Sequence, residues 1–406
     1  MKICAFLYGS QNMRIELTAQ QKDAQAEFRA FVNEEIIPHA NHYDQEECTP
    51  PQLIEKFARQ GYLGAILPKE FGGKSVEIIT YGLLNEEIGR GCSSLRSLLT
   101  VHSMVAYALC KWGTKSQKEY WLPKLASGKV IAAFALSEPN VGSDAKSIET
   151  TATLSSDSYI LNGQKKWITY GQIADVFLVF AQCSGKPSAF LVEKNSPGLV
   201  IKPISGMLGV KASMLAELHF QDCRIPQENL VGKLGFGFAY VASSALDYGR
   251  YSVAWGSVGI AQACLEACIQ YTSERKQFGV YLKEHQLIRQ MIAEMIANVK
   301  AARLLCYQAG YFKEIGDRTS ISETSIAKYF ASTTAAKIAN DAVQIHGANG
   351  CTNKYSVARY LRDAKIMEII EGSTQIQQIT IADYGYQEYI MSQSTPTMSQ
   401  QLLARM

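Results

Sequence analysis

Glu371 stands behind Met367, Ile369 and Ile370 (only Glu368 interrupts) and in front of Gly372-Ser373-Thr374. Apolar walls disfavour a carboxylate anion, so its pKa is expected to rise toward a range suited to proton abstraction. The turn that follows offers backbone N–H groups and hydroxyls to a cofactor or an oxyanion. A solvated Glu at a helix end has the same local sequence, so any chemistry here depends on what else the chain brings.

Four other stretches qualify. Phe134-Ala135-Leu136-Ser137-Glu138-Pro139-Asn140-Val141-Gly142-Ser143-Asp144 is a strand running into a polar loop that could meet a flat heterocycle, with Ser143 facing a ligand. In Lys166-Trp167-Ile168-Thr169-Tyr170-Gly171, strand alternation puts Trp167 and Thr169 on one side, toward a ring system or into a sandwich core. Arg275-Lys276-Gln277-Phe278-Gly279 reads as a cationic helix end: Arg275 and Gln277 suit a pyrophosphate and Phe278 an adenine, unless the end is merely solvated. In Gln344-Ile345-His346-Gly347-Ala348-Asn349-Gly350-Cys351 the glycines admit close backbone approach to a ligand, or simply cap a helix.

Other motifs fail. Gly73-Lys74-Ser75 has Pro68 where a phosphate loop needs glycine, and the glycines at 232, 235 and 237 do not match a dinucleotide fingerprint. There is no Gly-x-Ser-x-Gly elbow.

The elements that must position these residues fall into three blocks. Residues from about 18 to 128 carry helical patterns, opened by a Thr18–Gln21 capping box and an apolar stripe stopped at Pro38. Further patterns cover about 51–60, 77–90, 98–112 and 116–125. From Val130 the chain turns to short β-prone runs: 130–136, 151–154, 159–161, 176–181, 189–192, 199–204 and 216–220, with Asn162-Gly163 as a hairpin turn. Helical patterns return near 239–273, 284–314, 321–347 and 355–370. The expected domains are 14–129, helical; 130–238, a small antiparallel barrel; and 239–391, a helical bundle, with a flexible tail at 392–406.

Bulk properties narrow the class. The chain's 406 residues are 47% hydrophobic and 19% charged, an ordinary globular composition. Its 40 basic residues are scattered among 37 acidic ones, so neither nucleic acid nor an acidic membrane surface is an expected partner. The ten cysteines form no Cys-x-x-Cys pair and the six histidines no cluster, so we expect no metal site and a reducing, cytoplasmic setting. No signal peptide, transit peptide or apolar run of about 18 residues is expected to direct the chain to a membrane, and Met13 is an alternative start to Met1.

Taken in order, these stretches resemble the acyl-CoA dehydrogenase family of flavoproteins over about residues 15–390. The resemblance rests on Ser137-Glu138-Pro139-x-x-Gly142-Ser143-Asp144, on Trp167-Ile168-Thr169, and on Phe220-x-Asp222-Cys223-Arg224-Ile225-Pro226-x-Glu228-Asn229-Leu230-Val231-Gly232. It continues through Arg275 to Gly279, the Gln344 to Gly350 loop and Arg362-Asp363-Ala364-Lys365. It implies an α+β fold, with an N-terminal α-helical domain, a central small antiparallel β-barrel and a C-terminal four-helix bundle.

It also implies FAD, held in homotetramers or homodimers that share each cofactor between neighbours. Phe134, Leu136, Ser137, Trp167 and Thr169 would line the flavin, and Gly142 and Ser143 would lie where flavin and acyl thioester meet. Arg275, Gln277, Phe278, Gln344 and Gly347 would hold the ADP half, largely from a second subunit, and Ser373 and Gln375 would complete the cofactor site. Asp247, Arg250, Ser143 and Gly372 would contact the substrate, an acyl thioester of CoA or of an acyl carrier protein.

Glu371 would take the α-proton while a hydride leaves the β-carbon for the flavin. Some members carry the base just before the arginine of the Asp247–Arg250 stretch; here that residue is Gly249, which leaves Glu371. Electrons would pass to an acceptor flavoprotein or to O₂, and a flavin oxidase, a monooxygenase or a non-catalytic relative are the alternatives. Ser373, Ala348, Cys351 and Ile370 depart from common family residues, and the runs 246–256 and 344–351 are similar to a carrier-protein subgroup that makes polyketide extender units.

Overall fold

The computed structural model describes residues 16–394. Residues 392–394 close the last helix; the rest of the expected tail, residues 14 and 15, and both candidate start methionines lie outside the described residues.

The first block is helical: α1 Ala19–Phe31, α2 Ala40–Glu46, α3 Pro51–Arg59, α4 Ile78–Gly91, α5 Ser93–Trp112 and α6 Lys115–Ala126. The Thr18–Gln21 capping box forms as its spacing predicts, with Gln21 N–H donating to Thr18 Oγ1 at 3.2 Å and Thr18 N–H to Gln21 Oε1 at 3.0 Å. Thr114 and Gln117 build a second box at the start of α6. Helix α2 was not expected, because a short polar segment after Pro38 lacks an apolar stripe. Helix α5 begins five residues before its predicted start, because tertiary packing buries its first turns, Arg96 included.

Eight strands form one sheet: β1 Ala132–Ala135, β2 Thr151–Ser155, β3 Ser158–Ile168, β4 Val176–Cys183, β5 Lys186–Glu193, β6 Leu199–Pro203, β7 Ala216–Pro226 and β8 Leu230–Val231. The order is β6-β7-β3-β2-β4-β5-β8, with β1 on β4. The sheet is mixed, which corrects the purely antiparallel expectation. β1 runs parallel to β4 from Ala132↔Val176 to Ala135↔Val179, and β2 meets β4 in parallel at Thr151↔Gln182. The connections after β1 and β2 are long enough to return the chain in the same direction, which a hairpin cannot do.

Asn162-Gly163 is not the hairpin turn. It lies inside β3 at a register shift against β7, where Asn162 Oδ1 accepts from Asp222 N–H at 2.8 Å. The β2–β3 hairpin turns earlier, at Ser156-Asp157, where Ser156 takes φ 56°. The Asn-Gly pair serves a bulge instead, since Gly163 at φ +140° packs where a Cβ would lie 2.7 Å from Thr150 Cα.

The last block contains α7 Ser243–Glu274, α8 Gln286–Glu314, α9 Ser320–His346, α10 Val357–Met367 and α11 Thr374–Ser394. Helix α11 completes the bundle and was not expected; its alternating polar and apolar residues give no clear helical stripe. The continuous helix from Gly237 to Glu274 is apolar enough to cross a bilayer by composition, yet its most apolar window is 78% buried inside the molecule. Its small residues explain the depth: a Cβ on Gly89 of α4 would lie 2.8 Å from Gly256 Cα, so the two helices touch through glycine.

The loop after β1 is fastened by a wholly buried pair. Lys165 Nζ meets Glu138 Oε1 at 2.6 Å and Leu136 O at 3.0 Å, while Glu138 also accepts from Glu149 and Thr150 N–H. Lys165→Met leaves the Glu138 carboxylate buried without its cation and is expected to cost about 3–5 kcal/mol. The check is urea unfolding; a midpoint equal to the parent's would show that the pair does not fasten this loop.

Candidate active site

Strand ends and three helices enclose a cavity of ≈ 400 Å³. β1 and its continuation supply Phe134, Leu136 and Ser137; the following loop brings Gly142 and Ser143; the end of β3 brings Trp167, Ile168 and Thr169. Helix α5 contributes Arg96, Ser97, Thr100 and Val101, and α7 contributes Leu246 and Arg250. Ile369 to Ser373 close the cavity, with Ile376 from the first turn of α11. Three stretches far apart in sequence therefore meet at Glu371.

Trp167 and Thr169 reach the cavity by a different route from strand alternation. The β3–β7 register shifts between Lys165 and Ile168, and Trp167 adopts φ 65°, so three consecutive residues line the cavity where alternation would show every second one.

Glu371 itself is left-handed, φ 54°, and is followed by Gly372 at φ 91°. A non-glycine residue there is strained and persists only where its surroundings dictate it. Its surface opens onto the cavity, while Oε2 is buried with no hydrogen-bond partner among the described residues. Burial pushes its carboxyl up to about 7, and the positive charges of Arg250, Arg96 and Lys328 oppose that rise.

The expected apolar wall is thus incomplete. Met367 is buried, but Ile369 is half exposed and the remaining surroundings include three cations. Gly249 makes room for the carboxylate: a Cβ there would overlap Glu371 Oε2 and lie 2.8 Å from Met104 Sδ.

Arg96 was missed in the sequence. It is fully buried, and its guanidinium contacts only neutral groups: Thr100 Oγ1 at 2.7 Å, Ser97 Oγ at 3.0 Å, Ser252 Oγ at 3.4 Å and Met367 Sδ at 3.5 Å. Its Nε has no partner among the described residues, and burial lowers its pKa to about 10. A signal existed: Arg96, Thr100, Ser103 and Tyr107 form a polar stripe at helical spacing along a largely buried helix.

Other expected site residues fall elsewhere. Asp247 does not line this cavity; it pairs with Lys313 beside a separate one of ≈ 490 Å³, because one helical residue step turns it away from Leu246. Arg275 caps the end of α7, as expected, and the residues after it form a small hairpin. β9 Lys276–Gln277 pairs with β10 Val280–Tyr281, and Phe278 at the turn is 95% exposed. Gln344 and Gly347 are exposed at the end of α9, where Gly347 (φ 58°) serves as the helix cap, and Gln375 is exposed outside the cavity.

The sequence matches three family profiles: acyl-CoA dehydrogenase N-terminal domain at residues 18–129, middle domain at 133–223 and C-terminal domain at 235–385. The acyl-CoA dehydrogenase of Bacillus subtilis is 38% identical over 376 residues, 91% of this chain and 99% of that one. Among solved structures, butyryl-CoA dehydrogenase from Megasphaera elsdenii shares 34% identity and a TM-score of 0.88, covering 92% of this chain and 99% of its own. A glutaryl-coenzyme A dehydrogenase in complex with glutaryl-CoA shares 36% and 0.88, covering 91% and 96%.

Two further solved structures are also similar. The prolyl acyl carrier protein oxidase AnaB is 31% identical, TM-score 0.86, covering 91% and 99%. FkbI, for biosynthesis of a methoxymalonyl extender unit, is 30% identical, TM-score 0.82, covering 89% and 99%.

Because the folded carboxyl of Glu371 titrates near 7 and an unfolded one near 4.5, the native state binds the extra proton between those values. Stability from this group is therefore lost as pH rises through the window. Glu371→Gln is expected to match the parent at pH 4 and to exceed it by about 3 kcal/mol at pH 8. Urea midpoints at both pH values check this; equal midpoints at pH 8 would place the carboxyl at its ordinary value.

Proposed function

The chain belongs to the acyl-CoA dehydrogenase family, an oxidoreductase family that uses FAD, and on that footing we propose that Glu371 is the base of an α,β-dehydrogenation of an acyl thioester. The observation that carries this is a Glu371 Oε2 buried at the cavity without a partner among the described residues, with its pKa raised to about 7. A base of that strength is about half ionised near neutral pH and accepts a proton readily. Glu371 takes the α-proton, the β-hydrogen leaves with its electron pair, and the α,β double bond forms. FAD, when bound, supplies the acceptor for that pair.

The residues present fit such a group. Trp167 offers a half-exposed indole, and the hydroxyls of Ser137, Ser143, Thr169 and Ser373 line the same cavity. Arg275, Gln277 and Phe278 are exposed and do not line it. That supports a reading in which they hold the adenine half from a neighbouring copy in a homotetramer or homodimer.

Arg96 narrows the acyl group. The hydrogen bonds of this buried guanidinium go only to neutral partners, Glu371 faces it without pairing, and Nε has no partner among the described residues, so a substrate carboxylate would complete it. We read the substrate as an acyl thioester with a second anionic or strongly polar group, on CoA or on a carrier protein. Glutaryl-CoA, bound to one similar structure, carries such a carboxylate, and the methoxymalonyl extender unit associated with another is also a carboxylated acyl group. An electron-transfer flavoprotein is the proposed acceptor. Photoreducing the protein without oxygen and then admitting air tests the oxidase alternative, which requires fast reoxidation.

Glu371→Gln is expected to retain FAD but to bleach with acyl thioester at least about 1,000-fold more slowly than the parent. In the parent the bleaching rate should climb with pH through about 7 as Glu371 ionises. An unchanged rate in the variant removes the base assignment.

Arg96→Met should lose on the order of 100-fold in flavin reduction by glutaryl-CoA, the size of one charged hydrogen-bond partner, and little by butyryl-CoA. A parent that prefers butyryl-CoA, with a variant that behaves the same, would refute the polar acyl reading.

A further inference from the structure

The left-handed turn at Glu371 and Gly372 is gripped from three helices. Arg250 of α7 donates its Nε–H to Glu371 O at 3.3 Å. Gln377 of α11 donates Nε2–H to Glu371 O at 3.1 Å and to Gly372 O at 3.2 Å. Lys328 of α9 donates Nζ–H to Gly372 O at 2.7 Å. Lys328 is wholly buried, makes no ion pair among the described residues, and does not line the cavity. The neighbours of Lys328 on the buried face of α9 are small, Thr324, Ser325, Ala327, Ala331 and Ser332, so a long cation stands out there.

We propose that Lys328 is a positioning residue for the base: its ammonium fixes the Glu371–Gly372 turn through the Gly372 carbonyl and lends its charge to the Glu371 anion. This rests on the reading of Glu371 as base and adds the device that holds and tunes it. Two independent features of the site require such a device. Two consecutive residues at positive φ need their carbonyls held, because Glu371 lacks the freedom of glycine. Burial of a carboxylate with an orphan oxygen also calls for compensating positive charge.

The charges that face Glu371 are Arg96 from α5, Arg250 from α7 and Lys328 from α9. Lys328 in turn faces Glu371, Arg250 and Glu368 at the end of α10. Burial holds the Lys328 ammonium down to about 8, and the charge of Glu371 opposes that fall, so the two groups support each other's ionised forms.

Three substitutions separate geometry from charge. Lys328→Gln keeps a donor without the charge, Lys328→Met removes both, and Lys328→Arg keeps both. The readout is the titration of the Glu371 carboxyl in the FAD-loaded protein by infrared difference spectroscopy, referenced to Glu371→Gln, which needs no substrate. Lys328→Gln is expected to raise the Glu371 midpoint by about one pH unit, with Lys328→Arg near the parent. Lys328→Met should raise it as far and also speed amide exchange across residues 369–376.

A midpoint unmoved in both the Gln and Met variants overturns the proposal. If the midpoint moves but Glu371→Gln still bleaches with acyl thioester, the base reading fails and the role of Lys328 in holding the turn stands. If Glu371→Gln is inactive and the midpoint is unmoved, the base stands and Lys328 does not tune it.

Discussion

The site depends on holding one buried carboxylate oxygen where no close protein partner among the described residues satisfies it. Glu371 sits in a strained left-handed turn with an orphan oxygen, and three cations face it without pairing with it. Direct salt bridges would pull the carboxyl back to its ordinary range and make it a poor base. Complete isolation would keep it protonated. The structure lies between these limits because the cations act at a distance or bond to backbone and hydroxyl oxygens: Lys328 to Gly372, Arg250 to Glu371 O, Arg96 to Thr100 and Ser97.

That arrangement constrains the rest of the fold. Gly249 must lack a side chain because the carboxylate occupies the space a Cβ would take, and Gly256 must lack one because the Arg96 stem does. Helix α7 carries both glycines and also Arg250 and Ser252, so its placement against α4 and α5 sets the base and its electrostatics together. The β block contributes the other wall. Its buried Glu138–Lys165 pair fastens the end of β1 to β3, where Leu136, Ser137 and Trp167 turn toward the cavity.

Fold class was legible because three periodicities succeed one another along the chain. Helical stripes, short β-prone runs and long helical stripes appear in that order, and the structure follows it. Two misreadings come from local chemistry with two uses. Asn162-Gly163 suits a hairpin and equally a bulge, and it forms the bulge. Arg275 to Gly279 suits a helix end and equally a two-residue hairpin, and it is both: Arg275 caps α7 and the hairpin follows. The parallel pairing of β1 with β4 left no local mark, since it is made between strands about 40 residues apart.

For the site, the sequence by itself determined which residues could react: Glu371, the vacancy at Gly249, and the polar strand ends that carry Ser137, Trp167 and Thr169. These are matters of residue type and local order, which a chain carries before it folds. Only the tertiary structure decided that Arg96 joins Glu371 in one cavity while Asp247 turns to Lys313, and that Lys328 reaches the Gly372 carbonyl. Desolvation and charge depend on distances between residues remote in sequence, so the strength of the base appears only when α5, α7, α9 and the Glu371 turn are brought together.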